Sequence, residues 1–212
     1  MSPKKQAYEN LATSIIEKFN LRGIDGYYAE SAEDALEMVQ RFFAPGCSIS
    51  WGGSVTLEEI GLIDVFKDAD SDFVLFDRAE VPEEERDSFY SKVVGCDYFL
   101  MSSNAITMDG QLVNIDGNGN RVACLITGPK NVIIVAGMNK IVTDVEEGIK
   151  RVHNFASPPN TVRLGKDTPC AHYGHCGNCL SEDCICCQTV ITRKSRVPGR
   201  IKVILVGEEL GY

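Results

Sequence analysis

Short apolar runs of strand length recur along this chain with longer amphipathic stretches between them, and this alternation constrains the fold more than any other feature. Cys47 to Trp51, Phe73 to Phe76, Tyr98 to Met101, Lys130 to Val135 and Ile201 to Val206 are strand-like runs rich in β-branched or aromatic residues. Ahead of them, Tyr8, Leu11, Ala12, Ile15, Ile16 and Phe19 recur at three- and four-residue intervals and paint one face of a helix. A second helix is predicted from Ser31, which caps the first turn while Asp34 answers from three residues on. Leu36, Val39 and Phe43 carry its buried stripe until Pro45-Gly46 stops it. Thr56 to Ile60 and Pro82 to Val94 read as further helices. Such alternation favours parallel strands joined by helical crossovers, with ligands received at the strands' carboxyl ends.

Two stretches depart from the pattern. Gln111 to Asp116 and Arg121 to Leu125 flank Gly117-Asn118-Gly119-Asn120, which reads as the turn of a β-hairpin. Thr143-x-x-Glu146 is a capping box for a helix running to about Phe155, acidic at its start and basic at Lys150 and Arg151. From Ala156 to Gly199 apolar periodicity fades and six cysteines crowd together. The expected organisation is an α/β core over residues 1–155, a Cys-rich loop insertion over 156–199, and a last strand within 200–212 that returns to the core.

The chain has 212 residues, 44% of them hydrophobic, enough for one large domain. A net charge of -9 repels nucleic-acid phosphates and anionic lipid surfaces, so neither is an expected partner. No apolar run approaches the roughly 20 residues of a membrane span. Met1-Ser2-Pro3-Lys4-Lys5 leads into polar sequence rather than the apolar core of a secretory signal, so a cytoplasmic location is expected. In such a reducing compartment thiols and metal thiolates outlast disulfides.

Six of the nine cysteines, Cys170, Cys176, Cys179, Cys184, Cys186 and Cys187, lie within one short segment. The two-residue spacer of Cys176-Gly177-Asn178-Cys179 lets two thiolates converge on one ion, and Cys170, Cys184 and one of the adjacent pair can complete a four-sulfur shell. His172 and His175 make a mixed zinc site equally available. The expectation is an iron–sulfur cluster or zinc, with disulfide switching and reduced structural thiols as the alternatives. Cys47, Cys96 and Cys124 sit in or beside apolar strands and read as small core residues.

Trp51-Gly52-Gly53-Ser54-Val55-Thr56-Leu57-Glu58-Glu59-Ile60-Gly61 places glycines at a strand end, where bare amides can approach an anionic group and Ser54 and Thr56 add hydroxyls. The competing reading is a plain tight turn with a helix cap. Gly52-Gly53-Ser54-x-Thr56-x-Glu58-Glu59-Ile60-Gly61 resembles the opening motif of the LUD domain, the lactate-utilisation family that includes the LutC/YkgG proteins. Thr107-Met108-Asp109-Gly110-Gln111-Leu112-Val113, Gly117-Asn118-Gly119-Asn120-Arg121 and Gly128-Pro129 resemble later blocks of the same family, over roughly Tyr8 to Phe155.

That resemblance implies a fold like the NagB/RpiA/CoA-transferase superfamily, a mostly parallel sheet flanked by helices. It places a ligand pocket at Gly52, Gly53, Ser54, Thr56, Gly110, Asn118 and Gly119. Asp109 is a candidate base or hydroxyl-orienting carboxylate, and Lys140, just after a strand, a candidate holder of a carboxylate or phosphate. Glu58 is a third candidate, equally well read as a first-turn acid of its helix. Three functions remain open: an enzyme or enzyme subunit acting on a small anionic metabolite, an electron-transfer subunit partnering the redox subunits of a lactate-oxidation-type complex, and a zinc-stabilised interaction module. Acidic α/β proteins of this size also often form homodimers.

Overall fold

The computed structural model describes residues 2–68 and 71–212; Met1, read above within the amino-terminal stretch, lies outside the described residues. Ser2 caps α1 (Pro3–Leu21), which buries Ala12, Ile15 and Phe19 along the stripe seen in the sequence. After β1 (Asp25–Ala29), Ser31 caps α2 (Ala32–Gln40) by accepting from the Asp34 amide and donating back to the Asp34 carboxylate. Then come β2 (Ser48–Trp51), the short α3 (Val55–Glu59) and α4 (Leu62–Lys67), and β3 (Val74–Phe76). A 3₁₀ turn at Glu83–Glu85 leads into α5 (Arg86–Val94), followed by β4 (Tyr98–Met101).

The next stretch corrects one expectation. β5 (Ala105–Thr107) pairs antiparallel with β6 (Leu112–Asp116), so a hairpin exists, but its turn is Met108 to Gln111. Arg121 to Leu125 is no strand: it belongs to α6 (Asn120–Ile126), entered through Gly119 at φ 80. That left-handed backbone suits glycine in a strand-to-helix turn as well as in a hairpin, and the sequence cue cannot separate the two.

β7 (Asn131–Gly137) precedes the two-residue β8 (Ile141–Val142). The helix after it is capped by Asp144, which accepts from the Glu147 amide, one residue later than the predicted capping box. It also fails to stop at Phe155. α7 (Val145–Arg151) continues through a π-helical turn at Val152–Ala156 into α8 (Ser157–Arg163). Pro158 and Pro159 lack amide hydrogens, and the wider turn just before them absorbs the lost helical bonds. The segment boundary expected at 155/156 therefore falls inside a continuous helix. Beyond it stand α9 (Pro169–Tyr173), β9 (Gln188–Thr192) and β10 (Ile201–Val206).

The main sheet has the order β1-β10-β7-β4-β2-β3, every neighbouring pair parallel. Helices cover both faces, so the central strands are apolar on both sides. In β7, Val132, Ile134 and Ala136 point into a core shared with Phe19 of α1, Phe89 of α5 and Leu125 of α6. Ile133 and Val135 point into the opposite core with Val39 of α2, Leu57 of α3 and Phe66 of α4. A second sheet, β8-β5-β6-β9, stands beside the first. Its outer strand β9 comes from the Cys-rich segment, expected as pure loop, and pairs antiparallel with β6 from Leu112–Thr192 to Asp116–Gln188. Among the described residues no helix is long and apolar enough to cross a membrane.

A candidate active site at the carboxyl ends of the parallel strands

The carboxyl ends of β2, β3, β4 and β7 open onto one cleft of about 790 Å³. β2 brings Gly52, Gly53 and Ser54, β3 brings Asp77 and Arg78, β4 brings Ser102, Ser103 and Asn104, and β7 leads through Gly137 to Lys140. The β6–α6 turn adds Asp116, Gly117, Asn118 and Arg121, while α8 adds Asn160 and Arg163. The Cys-rich segment closes one wall with Glu182 to Ile185. Six basic side chains line this cleft against four acidic ones, in a chain whose overall charge is -9. A shallower hollow of about 410 Å³ beside Gly23 and Ser195 gathers none of these residues.

Lys140 occupies the floor. Its side chain is almost fully covered, at 3% exposure, and Nζ donates to Thr56 Oγ1 at 2.8 Å and Ser102 Oγ at 2.9 Å. Among the described residues no carboxylate forms an ion pair with it. Burial, followed by the charge of Arg151, lowers its pKa to about 7; Glu59 opposes and Arg121 adds to the lowering. Loss of solvation thus brings the titration of this lysine down to near neutral pH.

Its position is braced from behind. Arg151 of α7 donates from Nε to the Asn139 carbonyl at 3.1 Å and from Nη1 to the Asn104 carbonyl at 2.7 Å, so one guanidinium bridges the loops after β7 and β4. Asn139 in turn donates to the carbonyls of Leu210 and Gly211 and accepts from the Leu210 amide. Gly137 makes this packing possible: a Cβ there would lie 2.5 Å from Asn139 Oδ1, 2.6 Å from the Leu210 nitrogen and 2.7 Å from the Glu208 carbonyl oxygen.

Arg121 organises the adjacent wall. It donates to Asn114 Oδ1 at 2.6 Å, Asn104 Oδ1 at 2.9 Å and the Ile115 carbonyl at 2.8 Å, and its Nε stands 3.2 Å from Asp116 Oδ2. Asp116 also accepts from the Gly119 amide at 2.8 Å. The guanidinium is committed to protein partners, so it shapes the wall and lends field rather than a free fork. Arg163 differs. Its only hydrogen bonds among the described residues run to Asn160 Oδ1, and its guanidinium lies beside Gly53, where a Cβ would come within 4.0 Å of Nη2. Ser54 Oγ is buried without a hydrogen-bond partner among the described residues. Such an orphaned hydroxyl in a cleft is a natural acceptor or donor for a bound molecule.

The sequence-derived candidates separate accordingly. Lys140, Thr56, Gly52, Gly53, Ser54 and Asn118 lie on the cleft. Asp109 and Gly110 do not: they form the β5–β6 turn, where Asp109 pairs with Arg22 Nη2 at 2.6 Å and bonds Thr107, while Gly110 packs on Lys18 and Phe19 of α1. Partial burial pushes the Asp109 carboxyl upward, but hydrogen bonds from Thr107 and Gln111, followed by the charge of Arg22, hold it below the usual range. Glu58 is exposed on α3, outside the cleft lining, and Gly119 serves as the cap of α6 behind Asn118. Ser102, Asn104, Arg121 and Arg163 were missed as site residues. The polar run Ser102-Ser103-Asn104 directly after an apolar strand was the available signal.

The cysteines make a different picture from the one expected. Among the described residues no three His, Cys, Asp or Glu side chains stand close enough together to hold a metal ion, so the arrangement lends the iron–sulfur and zinc readings no support. The sulfurs pair with neighbours instead. Cys170 meets Thr168 and Thr161, Cys176 meets His153 Nδ1 at 3.2 Å, Cys186 meets Ser157 at 3.3 Å and Cys179 meets Ser181 at 3.4 Å. Cys187 donates to the Cys184 carbonyl, and Cys184 accepts from the Cys186 amide. Burial pushes the Cys186 thiol up to about 11, with the nearby thiols of Cys184, Cys176 and Cys170 adding to the effect.

The model of the LUD domain family matches residues 12–206 of this chain, a span that includes the Cys-rich segment. Among solved structures, a DUF162 family protein from Deinococcus radiodurans is similar in fold, with a TM-score of 0.54 over 94% of this chain and 98% of that one, at 14% sequence identity. No curated protein matches the sequence.

Proposed function

This chain belongs to the LUD domain family, and on that premise we propose that it binds a small organic acid of the lactate type in the cleft and acts on it there. One observation carries the reading: Lys140, buried at the meeting point of three strand ends, is partnered by two hydroxyls and by no carboxylate among the described residues. Burial disfavours the protonated form of this amine, and an anion that binds beside that form recovers part of the loss. Arg163 and the Ser54 hydroxyl supply further groups suited to a carboxylate, and the positive balance of the cleft walls draws an anion inward.

The Cys-rich segment enters this reading as a wall. Asp183 accepts from Lys166 Nζ at 2.8 Å and from the Asp167 amide, and the Cys187 amide donates to the Asp116 carbonyl at 3.1 Å. These contacts seat Ile185 against Gly117 of the β6–α6 turn and bring Cys184 and Ile185 into the same lining as Arg163, so the segment limits the size of what the cleft admits.

The test is ligand-observed NMR and calorimetry with a panel of short 2-hydroxy and 2-oxo acids against the full chain. Binding of at least one acid is expected, lost in Lys140→Met and weakened in Arg163→Met. Absence of binding across the panel, or binding indifferent to both substitutions, overturns the reading.

A further inference from the structure

Lys140 is placed to do more than attract a charge. An unprotonated amine carries two N–H bonds and one lone pair, and the contacts to Thr56 Oγ1 and Ser102 Oγ can use both N–H bonds, leaving the pair for chemistry. The charged groups around it argue in the same direction. Arg151 and Arg121 are near enough to disfavour a third positive charge, and Glu59, whose charge opposes them, accepts a hydrogen bond from the Gly211 amide at 2.6 Å. The two hydroxyls are also the groups a carbonyl addition requires beside the nucleophile, since each can take up or release a proton as oxygen leaves.

Resting on the reading of the cleft as an organic-acid site, we infer that Lys140 Nζ condenses with the carbonyl carbon of a small 2-oxo acid to form an imine. The lone pair of Nζ forms the C–N bond while the carbonyl π pair moves to oxygen, which takes a proton through Ser102 or Thr56. The resulting carbinolamine loses that oxygen as water, carrying away both hydrogens that the amine began with. No oxidant or reductant enters, and the product is a C=N bond plus one water. A 2-oxo acid fits because it unites an electrophilic carbon for Lys140 with a carboxylate for Arg163 and the Ser54 hydroxyl. The adjacent imine then acts as an electron sink for bond-breaking at the neighbouring carbon.

The 212-residue chain is incubated with pyruvate, treated with borohydride, and read by intact mass and peptide mapping. Hydride reduces the imine to a stable secondary amine. One adduct per chain on Lys140 is expected, absent with lactate and absent in Lys140→Arg. The pH profile of trapping in the unsubstituted protein provides a second readout independent of how well the variant folds. Lys140 labelling reaches half its maximum near neutrality, because its unprotonated fraction at pH 7 is about a thousandfold that of an ordinary lysine. Adduct spread evenly over surface lysines, or trapping that rises only above roughly pH 10, overturns the inference. Pyruvate binding seen by NMR without any adduct overturns the imine and leaves the cleft reading intact, whereas absence of binding by every acid removes both.

Discussion

Thr56 Oγ1 accepts a 2.8 Å hydrogen bond from Lys140 Nζ, joining the first turn after β2 to the loop after β7 in the covered floor of the cleft. The contact defines a pH-dependent stability. In the unfolded chain this lysine titrates near its ordinary value of about 10.4, while in the fold burial brings it to about 7. Between those values the unfolded state binds more protons, so stability rises as pH rises. The destabilising contribution is absent above about pH 10.4, grows as pH falls, and is complete below about 7.

Lys140→Met removes that contribution but leaves the Thr56 and Ser102 hydroxyls without their donor, which costs about 1 kcal/mol each. The expected outcome is that the variant's stability relative to the parent declines by on the order of a few kcal/mol between pH 7 and pH 10. Urea midpoints at several pH values measure it. A difference that stays flat over this range would mean that the amine remains solvated and protonated.

The Arg121–Asp116 pair gives a second expectation. Removing one member leaves the other short of a partner in a largely buried wall, an event that costs about 3 kcal/mol or more. Arg121→Met is expected to destabilise more than Asp116→Asn, because it also strips donors from Asn104, Asn114 and the Ile115 carbonyl. Arg121→Lys is expected to restore little, since a single ammonium cannot reach the five acceptors, the Ser102 carbonyl among them, that surround the guanidinium fork. Denaturant unfolding of the three variants ranks them, and equal costs would show that the fork geometry is immaterial.

Much of this architecture was legible in the sequence, and the unread parts share a physical reason. β4, β7 and β10 announced themselves because both their faces are buried, which demands unbroken apolar residues. β1 did not: Asp25-Gly26 carries the marks of a turn, although Gly26 sits in the strand with Ile16 and Phe19 of α1 pressed against it. β9 lies at a sheet edge with polar and exposed residues, so its pairing partner β6 decides its conformation. The site divided on similar lines. The glycines after β2 and the lysine after β7 follow directly from strand ends. Asp109, chosen by a motif, belongs to a turn whose carboxylate is consumed by Arg22, a residue 87 positions away.

Gly53 and Gly137 separate ligand access from scaffold. Gly53 is exposed and a Cβ there meets nothing closer than Arg163 Nη2 at 4.0 Å, so Gly53→Val is expected to fold with stability within about 1 kcal/mol of the parent. Its branches project into the cleft mouth, and organic-acid affinity is expected to fall by about tenfold, about 1.4 kcal/mol. Gly137→Ala drives a methyl against two backbone atoms and Asn139, so it is expected to cost about 2 kcal/mol of stability and displace Lys140 with it. Affinity and urea midpoint measured on both variants decide this, and a Gly53→Val protein with unchanged affinity would place the ligand elsewhere.

Thiol reactivity tests whether the Cys-rich segment walls the cleft. Hydrogen bonds from the Ser181 side chain and backbone lower the Cys179 thiol, whereas burial pushes Cys96 up to about 12 and Cys124 up to about 11. Thiolate is the reactive form, so maleimide at pH 7 is expected to modify Cys179 well before Cys96 or Cys124. Cys184 lines the cleft while its hydrogen-bonded neighbour Cys179 does not, so a bound organic acid should slow modification of Cys184 more than that of Cys179. Mass-spectrometric time courses with and without the acid measure both rates. Protection of neither thiol by an acid that demonstrably binds would detach the segment from the site, because a wall in contact with the ligand cannot keep its accessibility when the cleft fills.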